Sequence, residues 1–271
     1  MRSGSFASPC IQLEPAASLL RRLLFLVVLS GLPAWADSHK QSFADFTTPL
    51  PLKPGQTLAI GIMGGWEPWD KPYRLVRRIC LHLREERLAG GRLSDTYIET
   101  VENHRLELAR ELIEKAFDFD GDGKLSEAER REARIVIYGQ SMGGAASIDL
   151  CRWLKKQRIP VLLNVQVDSV GLRDGKVPSN VRAAANLYQH DIGPIRGQTK
   201  IRAEDKTRTA ILGNWRYRYP FWKYVNTEEE TLLRRTLMIP HLKMEFDPEV
   251  WERVEALIRF SISSSAPSER Q

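Results

Sequence analysis

One serine stands between two glycines in a pattern that can support nucleophilic chemistry. Gly139, Ser141 and Gly143 form G-x-S-x-G directly after the apolar run 135–138 and before a segment with helical spacing. A sharp strand-to-helix turn strains the serine backbone and leaves no room for side chains two positions away, so glycine is needed there. Such a turn presents a hydroxyl that attacks a carbonyl carbon once a base removes its proton. A serine that only caps a helix after an ordinary glycine turn is the alternative.

A second chemical pattern lies upstream, where residues 118–129 form an acidic loop that contains glycine. Carboxylates stand at loop positions one, three, five and twelve, and glycine stands at position six, as in the calcium loop of an EF-hand. The predicted Ca²⁺ ligands are Asp118, Asp120, Asp122, the Lys124 carbonyl, Ser126 or its water, and Glu129. The sequence has no second loop of this kind, so we expect one structural ion rather than a sensor that opens a groove. A degenerate or empty loop is the alternative.

The segments that must position these residues alternate between strand and helix patterns. Buried strands are predicted at 56–63, 96–101, 135–138 and 161–167. Helices are predicted at 73–88, 106–116, 143–156 and 181–189, and from Asp247 and Pro248 onward. This alternation predicts the α/β class, a mostly parallel sheet with helices on both faces. The aromatic stretch 215–222 is interpreted as an edge strand or core segment, or else as part of a lipid-facing mouth.

The strand, the serine turn and the glycine-rich start of the following helix resemble the α/β-hydrolase superfamily over nearly all of the chain after the N-terminal segment. The motif order also resembles a group of secreted bacterial serine hydrolases. The motifs of this group are present in this sequence at residues 118–129, 138–144, 166–170, 186–189 and 241–251. The resemblance implies an α/β-hydrolase fold with an EF-hand helix–loop–helix inserted before the strand that leads to Ser141.

In this superfamily an acid follows the nucleophile at the carboxyl end of a strand. Asp168 ends the strand 161–167, so the resemblance implies that it is the acid, at the same sheet edge as Ser141. If Asp168 only caps the turn that follows, Asp191 or Asp205 is the alternative acid.

The resemblance also implies a histidine shortly before the last helix. His241 has that position, and His190 is the alternative, although it lies early in the chain for this role. In the implied chemistry, neutral His241 takes the Ser141 proton while Asp168 orients the imidazole and stabilises the imidazolium.

An oxyanion formed by this attack requires fixed hydrogen-bond donors. The Met142 N–H, at the start of the helix after the nucleophile, is the first predicted donor, where the helix dipole also helps. The second is assigned to the glycine turn after the first strand, at Gly64, although an ordinary tight turn would explain the same glycines.

The N-terminus has the pattern of a secretory signal peptide, predicted at 1–36. Arg21 and Arg22 precede the apolar run 23–32, and the small residues Ala34 and Ala36 form a cleavage site. About ten apolar residues are too few to cross a bilayer, so no permanent membrane span is expected, with an uncleaved anchor as the alternative. We therefore predict a secreted or periplasmic protein. Its predicted parts are a tail at 37–55, a hydrolase domain at 56–260 and a disordered tail at 261–271.

The composition is that of a globular protein, with 271 residues, 42% hydrophobic and 27% charged residues, and a net charge of +6. The charges of both signs are interspersed, so no nucleic-acid partner is expected. Cys10 leaves with the signal peptide. Cys80 and Cys151 fall on helices that pack on opposite sheet faces in the implied fold, so two separate buried thiols are predicted.

Two functions from different classes follow. The first is an exported serine hydrolase that acts on small-molecule or lipid esters or thioesters and binds calcium. The second is a calcium-binding structural or interaction module on a hydrolase scaffold without activity. Retention of Ser141, Asp168 and His241 favours the enzyme.

Overall fold

A parallel sheet forms the centre of the molecule in the computed structural model, which describes residues 40–91 and 93–264. The strands are β1 (Thr57–Ile62), β2 (Thr96–Val101), β3 (Arg134–Gln140), β4 (Val161–Val167), β5 (Lys176–Val177), β6 (Val181–Gln189), β7 (Arg202–Ala203) and β8 (Ala210–Tyr217). The main sheet of the described chain has six of them, in the order β2-β1-β3-β4-β6-β8, and β5 and β7 form a separate pair. Every neighbouring pair is parallel. This order confirms the predicted fold class, α/β with a mostly parallel sheet, and is consistent with an α/β-hydrolase fold.

Helices cover both faces of the sheet, as predicted. They are α1 (Leu75–Leu88), α2 (Leu106–Phe117), α3 (Glu127–Glu132), α4 (Met142–Lys156), α5 (Leu232–Leu237), α6 (Ile239–Phe246) and α7 (Pro248–Ser264). The core cluster on one face includes α2 and α4, and the cluster on the other includes α1 and α7. Cys151 lies in the first cluster and Cys80 in the second, and both are buried and free. The prediction of two separate thiols is confirmed.

Because the strands of the main sheet are parallel, their carboxyl ends meet at one edge. The turn after β1, Ser141 after β3, Asp168 after β4 and the end of β6 at Gln189 all lie there. This edge is where the candidate site forms.

The helix predicted over 181–189 is wrong, because this segment is strand β6 between β4 and β8. Its run of alanines has high helix propensity, but the sheet has space for a strand with small side chains on both faces. Ala184 packs in the cluster of one face, and Ala185 packs in the cluster of the other. Tertiary packing therefore overrides local preference.

The N-terminal segment contacts the folded domain from Gln41 onward. The Gln41 side chain donates to the Thr100 carbonyl at 2.7 Å and accepts from the Glu102 N–H at 3.1 Å. Leu52 is buried in the core. The part of the predicted tail 37–55 that is described thus packs against β2. The predicted signal peptide at 1–36 lies outside the described residues.

The closing helix continues past the predicted domain boundary at 260. It extends to Ser264, because Ile262 packs in the core and its carbonyl accepts a hydrogen bond from Arg134 at 3.3 Å. The disordered tail predicted at 261–271 is therefore wrong for 261–264, and its remainder lies outside the described residues. In the described part of the chain, no helix combines the length and apolar character that a membrane span requires.

Candidate active site

Ser141 occupies the strained turn that its flanking glycines predict. Its φ is 55° and its ψ is −124°, in a region that side chains rarely adopt. A Cβ at Gly139 would overlap the Gly143 carbonyl, and one at Gly143 would overlap the Ile62 carbonyl oxygen. The Ser141 N–H donates to the Val167 carbonyl at 2.9 Å. The glycines and the neighbouring strand thus fix the serine at the sheet edge.

The structure brings Ser141, His241 and Asp168 together. The His241 Nε2 atom lies 3.0 Å from the Ser141 Oγ atom, and its Nδ1 atom lies 2.6 Å from an Asp168 carboxylate oxygen. All three side chains are buried, and His241 belongs to α6. These contacts let the imidazole accept the serine proton on one nitrogen while the carboxylate fixes the proton on the other.

The alternative acids and base have other partners. Asp191 pairs with Arg216 at 3.2 Å, and Asp205 accepts from the Thr207 hydroxyl in a turn at 2.6 Å. His190 is exposed. The acid that contacts His241 is thus Asp168, and the base that contacts Ser141 is His241.

Gln189 holds the Asp168 carboxylate in place, and the sequence analysis missed it. Its backbone N–H donates to Asp168 Oδ1 at 3.1 Å, and its side-chain amide donates to Oδ2 at 2.9 Å. The same amide donates to the Ile195 carbonyl at 2.9 Å. Assignment of 181–189 as a strand would have placed Gln189 beside Asp168 at the sheet edge, whereas the predicted helix concealed it.

The two predicted oxyanion donors lie next to Ser141. Met142 begins α4, so its N–H has no partner within the helix. A Cβ at Gly64 would lie 3.3 Å from the Ser141 Cβ and would overlap the Gln140 side-chain oxygen. The Gly64 backbone therefore approaches the nucleophile closely, at a distance that a side chain would prevent.

A buried ionic cluster connects the loop after β1 to the helix that contains His241. Arg74 lies 3.2 Å from Glu67 and 3.0 Å from Glu245, and it also pairs with Glu230. Arg234 pairs with Glu67 and with Glu230, each at 3.1 Å. Burial raises the pKa of Glu67, and the two arginines oppose this shift. Glu245 follows His241 by about one helical turn on α6, so the cluster fixes the helix that positions the imidazole.

The acidic loop 118–129 folds between α2 and α3 as a helix–loop–helix ahead of β3. Carboxylate oxygens of Asp118, Asp120 and Glu129 lie within 4.8 Å of one another. The Gly123 N–H donates to one Asp118 oxygen at 2.9 Å. The other Asp118 oxygen is buried and has no hydrogen-bond partner among the described residues.

The remaining predicted ligands of this loop make local contacts. An Asp122 oxygen accepts from the Lys124 N–H at 2.7 Å, and the Ser126 hydroxyl caps α3 by accepting from the Glu129 N–H at 3.3 Å. Burial alone would raise the pKa of Glu129, but hydrogen bonds from Ser126 and from the Phe119 and Asp120 N–H groups hold it below its usual range. These hydrogen bonds thus keep the Glu129 carboxylate ionised near neutral pH.

No protein family matches the sequence, and the comparison with curated proteins found no match. Several solved structures are similar to the chain, and two of them are described here. One is the RedJ thioesterase of the prodiginine biosynthetic pathway in Streptomyces coelicolor, with 10% identity, a TM-score of 0.37, and coverage of 85% of this chain and 100% of that one. The other is a metagenomic carboxyl esterase, with 12% identity, a TM-score of 0.35, and coverage of 95% and 97%. Because both TM-scores are low, the fold assignment rests on the strand order and the parallel pairing.

Proposed function

We propose that this chain is an exported serine hydrolase of ester or thioester bonds. The observation that supports the proposal is the pair of contacts that His241 makes, at 3.0 Å to Ser141 and at 2.6 Å to Asp168. The strained turn at Ser141 and the adjacent Met142 N–H, which has no partner within α4, are the other parts that acyl transfer needs.

The proposed reaction has two halves. His241 Nε2 takes the Ser141 proton as the oxygen attacks the substrate carbonyl, and the N–H groups of Met142 and Gly64 stabilise the resulting oxyanion. The imidazolium returns this proton to the leaving alcohol or thiol, which leaves an acyl group on Ser141. Water then attacks the acyl group with His241 again as base, and an acid and free serine are produced. Asp168 keeps the imidazole in the orientation that both halves require.

The acidic loop fits a calcium ion, which we include in the proposal. A carboxylate with one oxygen hydrogen-bonded to Gly123 and the other buried without a partner has the arrangement of the first ligand of an EF-hand loop. Asp118, Asp120, Asp122, Ser126, Glu129 and the Lys124 carbonyl would hold the ion. Bound calcium supplies positive charge that offsets the carboxylates. Strand β3 extends for about 20 Å between this loop and Ser141, so the proposed role is structural.

Export is inferred from the signal pattern at 1–36. The protein recovered from medium or periplasm should begin near Asp37, which N-terminal sequencing checks. A chain that begins at Met1 in the cytoplasm would contradict this part of the proposal.

A fluorophosphonate probe tests the enzyme proposal, because it reacts only with an activated serine. We expect labelling at Ser141 by mass spectrometry, loss of labelling in Ser141→Ala, and a rate about a thousandfold lower in His241→Ala. Ser147→Ala, which alters another buried serine on α4, should label normally. A folded, calcium-loaded protein that does not label would refute the enzyme and support the alternative of a calcium-binding module on an inactive scaffold.

A further inference from the structure

Large apolar side chains are exposed around the sheet edge that contains Ser141. Six of them define what we term the apolar rim: Ile192, Phe221, Trp222, Leu232, Leu233 and Ile239. The exposed fractions are 93% for Ile192, 92% for Phe221, 73% for Trp222 and 78% for Leu232. Each residue follows the carboxyl end of β6 or β8 in the chain. Single exposed apolar residues are ordinary, but a group on one edge is typical of an interaction surface.

Contacts beneath the rim hold its loops together. The Asp191 carboxylate, next to Ile192, accepts from the Tyr219 N–H, two residues before Phe221, so the loops after β6 and β8 are joined. A Cβ at Gly193 would lie 3.4 Å from Pro240, so the loop after β6 also reaches the start of α6. The Phe221 and Trp222 rings meet edge to face with centroids 4.9 Å apart. These contacts join the loop with Ile192, the loop with Phe221 and Trp222, and the start of α6 with Ile239 into one surface. Leu232 and Leu233 lie on α5, which directly precedes α6.

Positive charge accompanies the apolar rim. Arg196 lies in the loop after β6, Arg218 lies in the loop after β8, and Arg235 lies on α5; all three are exposed. Within the described residues, none of the three has a carboxylate within ion-pair distance. The exposed acids in the stretch between β8 and α5 are Glu228 and Glu229. Exposed arginines without a carboxylate partner among the described residues, together with exposed aromatic and aliphatic side chains, suit a surface that is both apolar and negatively charged.

We propose that the apolar rim docks this protein on anionic lipid membranes. Aromatic and aliphatic side chains enter the boundary between headgroups and acyl chains, where tryptophan is favoured, and the arginines contact the anionic headgroups. A second copy of the chain fits this surface less well, because a symmetric contact would place the arginines of one rim against those of the other. Docking is independent of the proposed hydrolysis and would bring Ser141 close to molecules in the membrane.

Vesicle sedimentation without any substrate tests the proposal separately from activity. We expect the protein to bind phosphatidylcholine vesicles that contain phosphatidylglycerol at least tenfold more tightly than pure phosphatidylcholine vesicles. The double variant Phe221→Ser, Trp222→Ser should bind at least tenfold less. The double variant Arg218→Glu, Arg235→Glu should lose the preference for vesicles that contain phosphatidylglycerol. Added salt should weaken vesicle binding by the wild type.

A matched control alters apolar residues of similar exposure on other elements. Leu88, at the end of α1, is 74% exposed, and Phe260, near the end of α7, is 66% exposed. The double variant Leu88→Ser, Phe260→Ser should bind vesicles as wild type does. Thermal melts of all variants check that each one folds. Absence of vesicle binding by folded wild type would overturn the proposal, as would an equal loss in the control. Sedimentation equilibrium that shows a dimer disrupted by the Phe221 and Trp222 changes would assign the surface to a second copy instead.

Discussion

At the scale of single residues, the side chains of the candidate site depend on partners that the motifs do not contain. Asp168 has a φ of 42°, is fully buried, and accepts two hydrogen bonds from Gln189 in addition to its contact with His241. A buried carboxylate needs such donors, because burial without them costs free energy. Gln189 is therefore a positioning residue that acts through Asp168.

Replacement of Gln189 by leucine should lower turnover while the fold remains. We expect kcat to fall about tenfold, equal to about 1.4 kcal/mol, with little change in KM, because the aspartate loses one orienting donor. The labelling rate with a fluorophosphonate should fall in parallel.

Gln198→Leu is the control for this prediction, because the Gln198 side chain donates to the Lys200 carbonyl and not to Asp168. Circular dichroism should show both variants folded. Equal kcat in wild type and Gln189→Leu would show that the second donor to Asp168 is dispensable.

At the scale of elements, the ionic cluster around Arg74 determines how α6 meets the loop after β1. Removal of one member leaves the others charged and buried, which is far more costly than loss of an exposed pair. The cluster joins residues separated by most of the chain, so its members gave no pattern in the sequence.

Arg74→Met should destabilise the protein by about 3–5 kcal/mol in urea unfolding, because three buried carboxylates lose a shared partner. Lys115→Met breaks an exposed pair with Glu111 and should cost less than about 1 kcal/mol. A similar loss of unfolding free energy in both variants would mean that the Arg74 cluster stabilises the protein no more than an exposed ion pair does.

The helix–loop–helix gives a second prediction at this scale. If calcium binds the folded loop, its removal should lower the melting temperature while labelling of Ser141 at 25 °C stays unchanged, because the ion stabilises the folded state. At a calcium concentration of one hundred times Kd, the stabilisation is about 2.7 kcal/mol.

Glu129→Gln should abolish the calcium-dependent part of the melting temperature, and the chelator should then have no effect. Glu127→Gln, which changes an exposed acid of the same loop, is the control and should respond to chelator as wild type does. An unchanged melting temperature of wild type in chelator would contradict the structural role of calcium.

The elements also show which parts of the fold and of the site could be predicted from the sequence and which could not. The turn at Ser141 was predictable because its glycines are required by local geometry, and β1 to β4 were predictable from their apolar runs. β6 was not predictable from the sequence, because its run of alanines favours a helix locally. Only pairing with the neighbouring strands makes this segment extended. Gln189 was missed for the same reason. The Arg74 cluster was missed because its residues meet only in the folded chain.

At the scale of the whole molecule, one sheet separates two core clusters that must form together. Cys80 reports on one cluster and Cys151 on the other. Burial raises the pKa of Cys80 to about 11, despite nearby arginines, and burial also raises the pKa of Cys151 strongly. Thiolate is the reactive form, so both cysteines should be inert in the folded protein.

Alkylation at pH 8 across a urea series should therefore modify both cysteines in the same transition. At that pH about one thiol in a thousand at Cys80 is ionised in the fold, and unfolding restores ordinary reactivity. Mass spectrometry of the two peptides measures each site. Modification of Cys80 well before Cys151 would show that the two faces unfold separately.

The two outer strands of the sheet differ in how they resist pairing with another chain. β2 is covered, because Arg84 donates to the Ile98 carbonyl at 2.6 Å and Gln41 donates to the Thr100 carbonyl. β8, the other outer strand, has a register irregularity opposite Ala184 and Ala185, and it has an exposed arginine at position 216. Bulges and charges discourage edge-to-edge aggregation, whereas an uncovered regular strand promotes it. The N-terminal segment that contains Gln41 thus occupies backbone groups at the edge of β2 that a strand from another chain would need for pairing.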